Sequence, residues 1–141
     1  MISLALIGKG IQHSKSQNMY EELLGQKINY DLIDCHNESE IPQLEKLFSK
    51  FDGVSITSPY KTFFLNKLRL DNDVKKINAV NCIAKIGGVF KGFNTDLIAL
   101  DEIIDNYIKK YDKLGIHILG DGVMSKLIVY ILNLKKIPFR I

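Results

Sequence analysis

The chain has 141 residues, 46% of them hydrophobic, which is enough to bury a core and fits one domain or one domain and part of a second. Its 19 basic and 16 acidic residues give a formal charge of +3 and are scattered rather than blocked, which argues against nucleic acid or an anionic membrane as a partner. The longest apolar runs fall short of a membrane span, the apolar opening lacks the flanks of a signal peptide, and Cys35 and Cys82 stand in no metal-type spacing; the expectation is a reduced, cytoplasmic protein with no metal site.

Residues 2–7 carry apolar side chains without alternation, which predicts a strand buried on both faces, and Gly8 and Gly10 open the loop after it. A helix is predicted over 18–24, with Met19, Leu23 and Leu24 at helical spacing and Gly25 placed to end it. Ser14 and Ser16 precede that helix, where free N–H groups and the positive dipole end favour a carboxylate or phosphate. The other reading of Ser16 is an N-cap, and both hold if one serine caps and the other faces a ligand. His13 reads as a structural imidazole holding the loop. Residues 30–35 form a second strand candidate. Asn37 to Glu40 then offers a capping box, predicting a helix whose stripe of Ile41, Leu44, Leu47, Phe48 and Phe51 faces the core.

The next stretch, Gly53-Val54-Ser55-Ile56-Thr57-Ser58-Pro59-Tyr60-Lys61, organises the rest. Val54, Ile56 and Thr57 favour an extended segment and Pro59 stops it, so a lysine is delivered just past a strand end, where ligand sites cluster. Such a lysine gives or takes a proton when burial or a neighbouring charge tunes it. A short helix is predicted over 63–70. Gly87-Gly88 between residues 80–85 and 89–93 signals a β-hairpin, and antiparallel pairing returns Asn94-Thr95-Asp96 to the end of the sheet that carries Asn81. Asp96 reads either as the N-cap of the following helix, whose stripe is Leu97, Leu100, Ile104, Tyr107, Ile108 and Tyr111, or as a carboxylate converging on Asn81. A strand over 113–119 then runs into Gly120-Asp121-Gly122-Val123-Met124-Ser125, with a helix over 126–134 and a second strand beginning at 137–141. This is the context of a dinucleotide fingerprint, in which the first glycine makes the turn and the second lets a pyrophosphate approach.

Four stretches, Gly8 to Ser16, Ser55 to Lys61, Ala79-Val80-Asn81 and Gly92 to Asp96, together resemble the shikimate dehydrogenase family, whose patterns read G-x-P-I-x-H-S-x-S-P, N-V-T-x-P-x-K, A-V-N-T and G-x-N-T-D-G. The resemblance implies reversible NADPH-dependent reduction of 3-dehydroshikimate to shikimate, on the route to chorismate and aromatic amino acids. It implies that Ser14 and Ser16 bind the substrate carboxylate and that Thr57, Lys61, Asn81 and Asp96 complete the substrate contacts. Lys61 and Asp96 would be the catalytic pair, and Gly120, Asp121, Gly122, Val123, Met124 and Ser125 would hold NADP. The chain departs from the family pattern at Gly10 and Gln17, where proline is usual, at Ser55 in place of asparagine, and at Leu97 and Ala99 in place of glycines. Val123 replaces a glycine and Asp121 brings a negative charge near the phosphates, two changes that bear on affinity for the dinucleotide. Asp71 and Asp73 lie where family members often carry an acidic residue near the cofactor.

The fold expected is α/β: a three-layer α/β/α substrate domain with a mixed, mainly parallel sheet over 1–96, then a truncated Rossmann β-α-β over 97–141. About 45 residues after Asp96 supply only the opening of a dinucleotide-binding half. The chain is therefore expected to be a fragment of a longer enzyme or a natural remnant that binds without catalysis, inactive by itself, and working as monomer or homodimer on a small-molecule substrate. Quinate or a related polyol acid is the alternative substrate, which Ser55 and Leu97 would permit.

Overall fold

The computed structural model describes residues 1–111 and 115–141. In chain order its elements are β1 (Ser3–Gly8), α1 (Ser16–Leu24), β2 (Asn29–Asp34), α2 (Leu44–Leu47), β3 (Gly53–Ile56), β4 (Arg69–Leu70), α3 (Asn72–Ile77), β5 (Cys82–Ile86), β6 (Val89–Phe93), α4 (Thr95–Lys110), β7 (Ile116–His117), α5 (Val123–Leu134) and β8 (Phe139–Arg140). The unbroken apolar run of β1 lies inside the main sheet, between parallel neighbours β2 and β3, and its last four residues are buried. Beyond β3 the chain adds an antiparallel hairpin of β5 and β6, and β4 closes the far edge parallel to β6, giving the order β2-β1-β3-β5-β6-β4. The sheet is thus mixed and mainly parallel, as the sequence led us to expect. Gly87 and Gly88 turn the hairpin at φ 58° and 80°, a region that side chains with a Cβ rarely occupy.

A second, two-stranded parallel sheet pairs β7 with β8, with α5 as the crossover between them. This is the β-α-β unit expected after residue 97. The strand predicted over 113–119 is confined to Ile116–His117, and Lys113 and Leu114 of that prediction lie outside the described residues. The helix starts at Val123 rather than at 126.

Three expectations are corrected. The helix predicted from Asn37 is broken: Asn37 Oδ1 does accept from Ser39 N–H, and Glu40 from His36 N–H, but the result is a single 3₁₀ turn, Glu38–Glu40. Pro42 explains the break, because it forces Ile41 to the extended conformation seen at φ −72°, ψ 121°. Ile41, Leu44, Leu47 and Phe51 are nonetheless buried. The helix predicted over 63–70 is a 3₁₀ turn, Leu65–Lys67, followed by β4. The partner of Leu70 in register is Gly92, where a Cβ would stand 2.7 Å from Leu70 Cδ2 and 2.9 Å from Leu68 Cδ1, so the bare backbone of β6 makes room for these leucines. Third, α1 starts at Ser16 rather than at 18, and Met19 and Leu23 on it are exposed. The short α3 was not anticipated; Asp71 precedes it and Asn78 ends it at φ 56°.

Two apolar clusters hold the chain. The larger fills the main sheet with Ile7, Leu44, Leu47, Val54, Phe64 and Ile83, each such side chain worth about 1.5–3 kcal/mol of burial. The smaller joins Ile77 and Ala79 to Leu127 and Ile131 of α5, with Leu97, Leu100 and Ile104 of α4 packed against it. Of the stripe expected on α4, these three leucine and isoleucine side chains are the packed part, whereas Tyr107, Ile108 and Tyr111 are exposed. Among the described residues no helix is long and apolar enough to cross a membrane.

Candidate active site

Backbone contacts at the end of β3 fix where Lys61 stands. Thr57 N–H donates to the Ile7 carbonyl at 2.9 Å, and Tyr60 N–H turns back onto the Thr57 carbonyl at 3.0 Å across the cis Ser58–Pro59 bond. The Tyr60 ring is buried, and its hydroxyl donates to the Cys35 carbonyl at 2.8 Å. The Lys61 carbonyl accepts from Val80 N–H at 2.8 Å, which ties it to the segment leading into β5. Held from both sides, the lysine directs its ammonium to Asp96: Nζ lies 2.7 Å from Oδ2. The lysine side chain is 12% exposed and the aspartate 31%, so the pair sits at the wall of a cleft rather than in the core.

Asp96 is free for that partner because another residue caps α4. Asn94, buried, accepts from Leu97 N–H at 3.1 Å through Oδ1 and donates to the Ala79 carbonyl at 3.0 Å through Nδ2. The cap reading of Asp96 is thereby replaced: its carboxylate occupies the first turn of α4, where the helix dipole favours negative charge. The hairpin returns the chain as expected. Asn81 donates to Thr95 Oγ1 at 2.9 Å and accepts from Thr95 N–H at 2.9 Å.

Thr57, Lys61, Asn81 and Asp96 line one cleft of about 220 Å³, together with Tyr20, Ser55, Ile56, Cys82 and Thr95. Burial pushes the Cys82 thiol up, which keeps it a neutral part of the wall. Ser14 and Ser16 are not on this wall. Ser16 is the first residue of α1, the N-cap position falls to Lys15, and so the reading of Ser16 as N-cap does not hold. Instead Ser14 Oγ accepts from Ser16 N–H at 3.3 Å and donates to Ser16 Oγ at 3.0 Å. Ser16 lines an adjoining hollow of about 240 Å³ with Met19, Tyr20 and Leu23, and Tyr20 walls both spaces. His13 is exposed. Tyr30 Oη is buried without a hydrogen-bond partner among the described residues; burial pushes its pKa up, and the neighbouring Ser16 hydroxyl acts in the other direction.

Sequence reasoning missed Tyr20. The signal for it was its spacing, since it follows Ser16 by four residues and therefore lies on the same helix face.

At the second sheet, Gly120 turns at φ 103°, and Gly122 is the N-cap residue of α5 with no side chain closing the helix end. A Cβ on Gly122 would meet nothing within 4 Å. Gly120, Asp121 and Ser125 line a hollow of about 300 Å³ with Ile118, Lys126 and Val129. Val123 does not face this hollow; it packs against the cluster of Ile77, Ala79, Leu127 and Ile131. Met124 reaches the other way, and its Sδ lies 4.0 Å from Lys61 Nζ. Asp121 is exposed. Of the two other acidic residues considered near a cofactor, Asp71 precedes α3 and Asp73 accepts from Tyr130 Oη at 2.7 Å.

The family model for the shikimate dehydrogenase substrate binding domain matches residues 6–83. The chain belongs to that family. Ser14, Ser16, Thr57, Lys61 and Asn81 all fall inside the matched span, while Asp96 and the 120–125 loop lie beyond it. Shikimate dehydrogenase (NADP(+)) of Methanosphaera stadtmanae is 34% identical over 139 residues, covering 94% of this chain and 48% of that protein. The structure of shikimate 5-dehydrogenase from Thermus thermophilus in complex with NADP(H) and shikimate is 26% identical with a TM-score of 0.79, covering 99% of this chain and 54% of that one. Quinate dehydrogenase from Corynebacterium glutamicum in complex with NAD is 25% identical with a TM-score of 0.78 over 99% of this chain and 53% of that one. The chain spans about half the length of the curated relatives it matches.

Proposed function

We propose that this chain carries the substrate side of a shikimate dehydrogenase, a cytoplasmic oxidoreductase that reversibly reduces 3-dehydroshikimate to shikimate with NADPH. The observation that carries the reading is the Lys61–Asp96 contact of 2.7 Å in a cleft also lined by Thr57 and Asn81. A lysine ammonium offers a proton and a positive charge to an oxygen that becomes an alkoxide, and the amine this leaves takes the proton back in the reverse direction, while the adjacent carboxylate orients the ammonium. Asn81 and Thr57 supply neutral donors and acceptors for ring hydroxyls, and Ser14 and Ser16 bind the carboxylate at the α1 terminus. We assign residues 1–96 to the substrate half and 97–141 to the opening of the dinucleotide half, a division supported by the two separate sheets.

The 120–125 loop fits a pyrophosphate. Gly120 takes a turn only glycine adopts readily, the space where a Gly122 Cβ would stand is open, and the N–H groups at the start of α5 have no side-chain cap. Val123, expected to bear on this affinity, is turned into the apolar cluster and leaves the loop backbone clear. Gly120, Gly122, Ser125 and the backbone of Asp121, Val123 and Met124 would hold NADP, which supplies the hydride when bound.

The test is Lys61→Ala in a protein that joins this chain to a complete dinucleotide-binding half. General acid–base help is worth about 10²–10⁴-fold, so turnover falls by that order while KM changes little. Equal turnover in the two proteins overturns the assignment. Ser55 at the family's asparagine position, with the likeness to a quinate dehydrogenase in complex with NAD, supports a second reading, in which quinate is the substrate. Assaying both acids with both cofactors separates the two.

A further inference from the structure

Among the described residues, Tyr20 is the one aromatic side chain that belongs to both hollows of the site. On one side it stands with Ser16, and on the other with Ser55, Thr57, Lys61 and Asp96. Its hydroxyl lies 3.3 Å from Ser55 Oγ, with either oxygen able to donate. The ring is kept in place from behind by Tyr30, at a centroid distance of 5.9 Å and an interplanar angle of 35°. A phenol fixed in this way loses little freedom on binding, having only two side-chain torsions and one of its faces already packed. Ser55 bears on the same point. Serine is shorter than the asparagine of the family pattern and has one hydroxyl where asparagine has a carboxamide with separate donor and acceptor groups. The space this leaves on β3 is met from α1 by the Tyr20 hydroxyl.

Resting on the reading of this cleft as a hydroxy-acid site, we infer that Tyr20 is a further substrate-binding residue, whose hydroxyl together with Ser55 reads a ring hydroxyl of the ligand. The pair is neutral, so it suits a neutral partner. Ser16, which is bonded to Ser14, lines the adjoining hollow with Tyr20, and the Lys61–Asp96 pair lines the cleft. In the absence of ligand the two hydroxyls satisfy each other. A ligand hydroxyl set against both oxygens from the cleft side donates to one and accepts from the other without parting them, with no charge buried and no polar atom stranded.

The experiment compares shikimate with cyclohex-1-ene-1-carboxylate, which has the carboxylate but no ring hydroxyl. Both are titrated into the 141-residue chain and its Tyr20→Phe and Ser55→Ala variants, with binding followed by backbone amide shifts and folding checked by melting. Losing one neutral hydrogen bond corresponds to about a three- to tenfold change in affinity. Tyr20→Phe therefore weakens shikimate by about that factor and leaves the deoxygenated acid unchanged, with Ser55→Ala following the same pattern. If Tyr20→Phe weakens both acids equally, or neither, Tyr20 shapes the fold or the carboxylate end and the assignment is overturned. Wild-type chain that binds neither acid overturns the hydroxy-acid reading itself, and the Tyr20 assignment with it.

Discussion

Gly8 shows how much of the site depends on one missing side chain. It ends β1, and a Cβ there would stand 2.4 Å from Thr57 Cγ2 and 2.5 Å from Ile11 Cγ2. Both contacts are methyls on β-branched residues, whose single stiff torsion leaves no easy way to move aside. Gly8→Ala is therefore expected to cost about 1–3 kcal/mol of stability, the usual range for overpacking, and to push Thr57 from its place in the cleft. Denaturant melts and the Thr57 amide shift check both effects; a variant as stable as wild type with an unmoved Thr57 amide contradicts them. The same close packing explains what the sequence revealed at this scale. Lys61, Asn81 and Asp96 were legible as residue types at strand and hairpin ends. That Asp96 is released from capping was not, because Asn94 and Asp96 are both good caps by residue type and only the buried contact of Asn94 with the Ala79 carbonyl decides between them.

At the scale of elements, α1, like α4, contributes no fully buried residue, so its polar ties carry weight. Glu21 ties it to the start of β2, accepting from Gln17 Nε2 at 3.1 Å and from Ile28 N–H at 3.4 Å and pairing with Lys27. The Lys27 hydrogen bond, then that of Gln17, holds the Glu21 carboxyl below its ordinary 4.5, with partial burial acting the other way. A carboxylate with a depressed native pKa stabilises above its ordinary pKa, and that contribution is lost as pH falls through the native value. Protection of the α1 amides against hydrogen exchange should accordingly fall as pH drops below about 4.5, and Glu21→Gln should remove that pH dependence. A pH-independent wild type would contradict this. The sequence conveyed the strands and the hairpin well, because β1 has an unbroken apolar run and Gly87-Gly88 fits few other turns. It conveyed α2 and β4 poorly. Pro42 outweighed a good helical stripe, and β4 depends on the bare Gly92 opposite it, a long-range fact that no local window contains.

Across the whole molecule, the two sheets meet through α3, α4 and α5. Ile77 and Ala79 pack against Leu127 and Ile131, and Lys135 at the end of α5 reaches Asp101 at 2.9 Å and Asp105 at 2.6 Å on α4. This packing brings Met124 to Lys61, so the cleft with the Lys61–Asp96 pair opens beside the 120–125 loop that we propose takes a pyrophosphate. Reduction of a ring ketone needs that adjacency, with hydride and proton delivered to neighbouring atoms. The central claim is that the cleft between β3, the hairpin and α1 takes a hydroxylated cyclic carboxylate. Titration of shikimate into this chain, followed by backbone amide shifts, tests it most directly. The cleft is open to solvent and Asp96 is partly exposed, so a dissociation constant near or above the millimolar range is expected, corresponding to about −4 kcal/mol. The first amides to shift are expected to be those of Ser14, Ser16, Thr57 and Asn81; shifts confined to residues 120–125, or none at all, would contradict the claim.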